Sequence, residues 1–178
     1  MVDLDISPVI ETQRLALRAP QPRDAARIAR LCNDAGVARM TTRMPHPYGL
    51  ADAEAFLALV ERHDGARERV FVIEAAGEGA VGVLGFHPRE EDGRPEIGYW
   101  LGRPHWGRGY ATEAVRAALR WAAGQWRRRL VFAGHFSDNA ASGHVLCKAG
   151  FLYTGEVQLR HSAARDALTP TRMMIWLA

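Results

Sequence analysis

Between Glu96 and Trp126 the hydrophobic period of the chain changes, and with it the element the backbone can form. "EIGYWLG" has the two-residue period of a strand, which sets Glu96, Gly98 and Trp100 on one face. After "RPHWGRG", the residues Ala111, Ala114, Val115, Ala118, Leu119, Ala122 and Trp126 trace one continuous apolar helix face. A helix of that kind has to bury its stripe on a neighbouring layer, so the chain reads as α/β. Gly107 and Gly109 stand where strand turns into helix. They either make a tight turn or bare backbone amides toward an anion such as a phosphate, which the helix dipole favours.

The flanking sequence fits one α/β domain. "TQRLALR" predicts a first strand, closed by Pro20 and Pro22, and "RDAARIARLCND" a helix stopped near Gly36. "RMPHPYGL" is loop, because Pro45 and Pro47 exclude helix interior. A second helix carries Ala53, Phe56, Leu57 and Val60. "RVFVIEAA" and "AVGVLGFH" flank a turn at Gly77 and Gly79, and Asp92-Gly93 turns the chain into "EIGYWLG", giving three antiparallel strands in a row. "RLVFAGHF" is a strand, "NAASGHVLCKAG" a short helix ended by Gly150, and "FLYTGEV" and "TRMMIWL" are strands separated by the polar loop "HSAARDALTP". No repeats or linker tracts interrupt this order.

With 178 residues, 48% hydrophobic and 24% charged, the composition is that of a soluble globular domain. A net charge of +3 does not mark a nucleic-acid binder, and "WRRRL" reads as a solvated strand edge. Cys32 and Cys147 form no metal spacing, so no metal and a reducing, cytoplasmic setting are expected. The start "MVDLDISPVIETQRL" lacks a signal-peptide pattern, and no run reaches the ~18 apolar residues of a membrane span.

"WGRGYA", Trp106 to Ala111, resembles the pyrophosphate loop of GNAT-type N-acetyltransferases, written Q/R-x-x-G-x-G/A. Gly109 and Ala111 match, while Trp106 stands where Gln or Arg is commoner. At this loop neither of the other phosphate signatures, GxxxxGK[ST] or GxGxxG, is present. "EIGYWL…WGRGYATEA" is similar to the RimJ/RimL-like branch, as are "IETQRLALRAPQPRDA", "PHPYGLADAEAF" and "NAASGHVLCKAGF", in the same order along nearly the whole chain. The resemblance implies a single N-acetyltransferase domain over residues 1–178, with a core from about residue 10 to residue 178. Its fold is α/β (α+β): a mixed, mostly antiparallel split sheet of about six to seven strands, flanked by about four helices.

It also implies acetyl-CoA as co-substrate, lying where the fourth and fifth predicted strands splay. The pantetheine arm would pair with backbone at Tyr99, Trp100 and Leu101. The pyrophosphate would rest on Trp106, Gly107, Arg108, Gly109, Tyr110, Ala111 and Thr112, through amides more than through the Arg108 side chain, which could equally be solvated. The implied acceptor is a primary amine, foremost a protein N-terminal α-amine; small-molecule amines and a non-catalytic acyl-CoA-binding role are the alternatives. Monomer and homodimer are both compatible, with an exposed Trp126 or Trp176 available for contact, and neither nucleic acid nor membrane is an expected partner.

Acyl transfer to an amine needs a proton acceptor, an oxyanion donor and help for the departing thiolate. Glu96 is the first candidate base; the alternative is a strand-start Glu paired with an Arg. Glu74 is the second; His87 and His135 also stand near strand ends, and histidine as a residue type suits proton transfer, but isolated histidines without a visible partner are more often structural. Many GNAT-type enzymes carry a Tyr seven residues after the Asn of the late helix, but counting from Asn139 lands on Leu146. In the RimJ/RimL-like branch a Ser three residues after that Asn serves the thiolate, which points to Ser142, unless Ser142 only satisfies helix-start backbone. Asn139 caps the helix, contacts the cofactor, or both. "TTRMPHPYGL" and "HSAARDALT" would recognise the acceptor through Arg43, His46, Tyr48, His161 and Asp166.

Overall fold

A computed structural model describes residues 8–178 of the chain. Residues 1–7 of the expected domain, and part of the stretch read for a signal peptide, lie outside the described residues. Eight strands run β1 (Ile10–Glu11), β2 (Leu15–Arg18), β3 (Arg69–Ala75), β4 (Gly79–Pro88), β5 (Pro95–Leu101), β6 (Leu130–Phe136), β7 (Leu152–Ser162) and β8 (Ala167–Leu177). The helices are α1 (Ala25–Cys32), α2 (Ala35–Ala38), α3 (Leu50–Glu61), α4 (Tyr110–Gly124) and α5 (Ala140–Lys148). One sheet holds all the strands in the order β1-β2-β3-β4-β5-β6-β8-β7.

Every neighbouring pair is antiparallel except β5 and β6, which run parallel and are matched only at Glu96↔Phe132 and Ile97↔Ala133. Beyond that junction β5 pairs with β4 alone and β6 with β8 alone. The sheet is therefore split toward the C-terminal ends of β5 and β6.

The alternation of side chains builds a core on each face. Leu15, Leu17, Phe71, Ile73, Ile97 and Leu101 meet α4 and α5 on one side. Val72, Val83 and Trp100 meet α1, α2 and α3 on the other. The α4 stripe is buried as its period predicts, with Ala114, Val115, Ala118 and Ala122 at 0% exposure.

Four expectations need correction. Among the described residues there are eight strands rather than about six to seven, because Thr12 turns the chain back on itself: its N–H and hydroxyl both donate to the Leu15 carbonyl, and Ile10 pairs with Leu17. The described residues form five α-helices rather than about four, because Asp34 restarts the helix that Gly36 was expected to stop, its Oδ1 accepting from the amides of Gly36 and Val37. The polar loop at 161–170 is mostly strand, with a turn only at 163–166. Trp126 and Trp176, expected to be exposed, are half-buried against the α4 side of the core, where Trp126 stacks on Trp121 at 5.6 Å.

Candidate active site at the split of the sheet

The strand-to-loop passage that drew attention in the sequence lies at the open end of the split. The Gly102 amide donates to Val81 O at 2.9 Å, which fixes the phase of the β4–β5 ladder. By antiparallel alternation, Gly98 and Trp100 direct their backbone groups to β4, while Tyr99 and Leu101 direct theirs toward the split, where β6 does not pair. The Leu101 carbonyl is met there by the Trp106 indole N–H at 2.8 Å. Trp106 thus ties the loop to the strand, a task suited to an indole donor in place of the commoner Gln or Arg.

Gly107 and Gly109 have φ of +74° and +78°, the left-handed region open mainly to glycine. Gly109 is the N-cap of α4, and a side chain at Gly107 would meet nothing within 4 Å. The first amides of α4 have no partner within the helix and face outward with the positive end of its dipole. This is a cradle with room in front of it, suited to a pyrophosphate.

The side chains around the cradle anchor the loop. Glu78, from the β3–β4 turn, accepts from Arg108 Nη1 at 3.1 Å and from the Tyr110 hydroxyl at 3.0 Å. His105 Nδ1 lies 3.1 Å from the same carboxylate, poorly aligned for a hydrogen bond. These contacts, the Tyr110 hydroxyl foremost, hold the Glu78 carboxyl below its ordinary value. From the other side, Arg14 donates to the Arg108 carbonyl at 2.8 Å and to Glu113 at 2.7 Å. Arg108 therefore faces a carboxylate, and the loop presents its backbone. Glu78, Arg14 and Glu113 escaped the sequence reading: nothing in "GEG" or "QRL" signals a partner many residues away.

Ser142 stands in the first turn of α5. Its amide donates to Asn139 Oδ1 at 3.2 Å, so Asn139 caps the helix. The Ser142 hydroxyl reaches across to β5, 2.9 Å from the Tyr99 hydroxyl. Burial pushes the Tyr99 phenol up, which keeps it protonated. Behind α5, His135 Nδ1 faces the Phe136 carbonyl at 2.8 Å, so that nitrogen carries the proton and Nε2 accepts from the Tyr153 hydroxyl at 2.9 Å.

Glu96 lies on the opposite face of the sheet, 6% exposed, with both carboxylate oxygens bound to Arg160. It is the Arg-paired strand Glu of the alternative reading, but buried. Glu74 is likewise paired, with Arg18 Nε at 2.6 Å. His87 sits opposite Glu96 in the β4–β5 register and is held below the ordinary imidazole value by burial, then by Arg43.

The two segments expected to meet the acceptor do come together: Ala163 N donates to Thr42 O at 2.8 Å and Ser162 Oγ to Thr41 O at 3.2 Å. Arg165 locks them to the start of α5 through Asp138 at 2.8 Å. Of their polar side chains, Tyr48 is buried and packs in the core, whereas Asp166 is fully exposed beside His161. Among the described residues, no group of three or more His, Cys, Asp or Glu could hold a metal, and no helix is long and apolar enough to cross a membrane.

Comparison with known proteins agrees with this geometry. The acetyltransferase (GNAT) domain matches residues 14–152. The uncharacterised N-acetyltransferase YoaA of Bacillus subtilis is 30% identical over 162 residues, covering 83% of this chain and 85% of that protein. The uncharacterised N-acetyltransferase p20 of Bacillus licheniformis is 32% identical over 111 residues, 61% of this chain and 62% of p20. Among solved structures, the ribosomal-protein-S5-alanine acetyltransferase of Vibrio fischeri superposes with a TM-score of 0.79 at 20% identity, over 96% of each chain. The spermidine N-acetyltransferase of Vibrio cholerae, in complex with CoA and spermine, gives 0.77 at 21% identity, over 93% of this chain and 96% of that one. With a left-handed glycine cradle at the mouth of a split sheet and a family match over most of its length, the chain belongs to the GNAT family of acetyltransferases.

Proposed function

We propose that this protein transfers the acetyl group of acetyl-CoA directly to a primary amine, with a protein or peptide N-terminal α-amine as the acceptor. The observation that carries the reading is the pair of left-handed glycines, Gly107 and Gly109, which bare the start of α4 beside the unpaired edge of β5. Amides from Gly107 to Thr112 hold the pyrophosphate, with Tyr110 and Ala111 in the same turn. The backbone of Tyr99, Trp100 and Leu101 lies along the pantetheine arm, and an amide of this strand receives the oxyanion. Asn139 orders the start of α5 and so the cofactor's thiol end.

The amine nitrogen forms its bond to the acetyl carbon as the carbon–sulfur bond breaks and the electron pair passes to sulfur. Ser142 donates to that sulfur. Glu96, with Arg160, takes up the amine's proton directly or through water. The α-amine is favoured over a polyamine because the charges about His87 and Glu96 are balanced: Arg43 and Arg160 stand against Glu68 and Glu96. A polycation needs an excess of acid there.

The test is incubation with acetyl-CoA and a panel of N-terminal peptides, polyamines and aminoglycosides, with products found by mass. An acetylated peptide α-amine is expected. Acetylation of polyamines alone overturns the acceptor, and no product beside a clear acetyl-CoA-dependent rise in melting temperature overturns catalysis.

A further inference from the structure

The tyrosine that many GNAT-type enzymes use as an acid has its place taken by Leu146, which is 1% exposed within the core. A phenol nevertheless stands at this end of the split, supplied by the strand. The Tyr99 hydroxyl lies 2.9 Å from Ser142 Oγ and 3.2 Å from the Ser142 carbonyl, bridging β5 to α5 across the opening. A helical serine commonly turns its hydroxyl back to a carbonyl one turn earlier. Here the partner recorded for Ser142 Oγ is Tyr99. A serine hydroxyl has one hydrogen and two acceptor sites, so its direction is decided by whichever neighbour donates to it.

We propose that Tyr99 is a positioning residue: of the two acceptors in its reach, the Ser142 carbonyl at 3.2 Å and Ser142 Oγ at 2.9 Å, its one hydrogen goes to the nearer, Oγ, and so the Ser142 hydrogen is turned toward the departing sulfur. The inference rests on the reading that Ser142 faces the thiolate. No proton leaves Tyr99. Burial opposes its ionisation, so it remains a donor throughout, and its O–H polarises the serine O–H that donates in turn. The thiol proton is supplied by solvent, and Glu96 passes the amine's proton on to solvent.

The test reads bound CoA and needs no acceptor. The thiol of CoA held by the protein is titrated by its ultraviolet thiolate absorption in wild type, Tyr99→Phe, Ser142→Ala and the double variant. A hydrogen bond to a charged group is worth roughly 1.5–3 kcal/mol, so each single variant should raise the bound thiol pKa by about 1–2 units. The double variant should go no further than Ser142→Ala, because one chain has been cut twice. Fluorotyrosine at position 99, a stronger donor of nearly the same shape, should lower the thiol pKa and keeps the question open to measurement if Tyr99→Phe folds poorly. A thiol pKa unmoved by Ser142→Ala overturns the site reading. A shift with Ser142→Ala but none with Tyr99→Phe or fluorotyrosine overturns the role of Tyr99 alone, and so does a further shift in the double variant.

Discussion

Replacing Arg160 with methionine should separate the structural and chemical roles of Glu96. Arg160 grips both Glu96 oxygens, and the two side chains are 23% and 7% exposed. Its guanidinium is held above its ordinary value, with the Glu96 hydrogen bonds the largest cause. Removing one partner of a buried pair costs about 3–5 kcal/mol, since the other charge is left without compensation. Because Arg160 keeps some contact with water, the lower end, about 3 kcal/mol, is the expectation. For a chain of this size that corresponds to a fall in melting temperature of about 6–12 °C. Glu96→Leu with Arg160→Met removes both charges and should recover most of the loss. Melting curves by circular dichroism at neutral pH measure both. An Arg160→Met protein that melts within about 2 °C of wild type at neutral pH, less than 1 kcal/mol at this size, would refute the idea of a buried charge dependent on Arg160. On the chemical side, Glu96→Gln should cut turnover by about 10²–10⁴-fold if the carboxylate receives the amine's proton, with acetyl-CoA still raising the melting temperature.

Gly143→Ala would place a methyl 2.8 Å from the Tyr153 hydroxyl and 2.9 Å from His135 Nε2, and should cost about 1–3 kcal/mol in denaturant melts; adding Tyr153→Phe should return part of it. Gly109→Ala forces alanine to φ +78°, at roughly 1–2 kcal/mol, and should also reduce the acetyl-CoA-dependent rise in melting temperature. His87 and His105 are both held below their ordinary value of 6.5, chiefly by burial, so the unfolded chain binds protons more readily than the native one. Stability should be full above about pH 6.5 and decline as pH falls toward the lowered native values, and His87→Gln should flatten part of that decline. The charges facing His87 are Arg43, Arg160, Glu96 and Glu68, so the slope should be read with the Glu96–Arg160 pair intact.

Most of the scaffold could be read from period and punctuation. The α4 stripe, the hairpins turned by Gly77, Gly79 and Gly93, and the left-handed stop at Gly150 all express local physics. The β7–β8 hairpin could not be read in full, because its inner face is polar: Ser162, Thr169 and Thr171 are buried, and Thr171 bonds to the Thr169 carbonyl. Serine, threonine and Pro170 in a run imitate a loop when the backbone that satisfies them is distant. The cradle was legible from its glycines, but its supports were not. Glu78 and Arg14 act on the loop only because the β3–β4 turn and β2 are folded beside it, a pairing that leaves no trace in local spacing.

The split in the sheet explains why the candidate base and the candidate thiolate donor can share one reaction. Glu96 points to the α1–α3 face, and Ser142 is joined to Tyr99, which packs against the α4–α5 side. A continuous sheet would keep groups on its two faces apart, with paired backbone between them. Here the β5–β6 ladder ends at Ile97↔Ala133, one residue past Glu96 and two before Tyr99. An acceptor entering by the Thr41–Thr42 and Ala163 segments and a thioester lying along Tyr99 and Leu101 would meet in that gap from opposite sides. The gap also leaves the Tyr99 amide free to receive an oxyanion, since no carbonyl of β6 is paired with it. Opening the sheet at this register gives up a few ladder hydrogen bonds, each worth about 1 kcal/mol, and leaves the backbone groups of Tyr99 and Leu101 unpaired by β6.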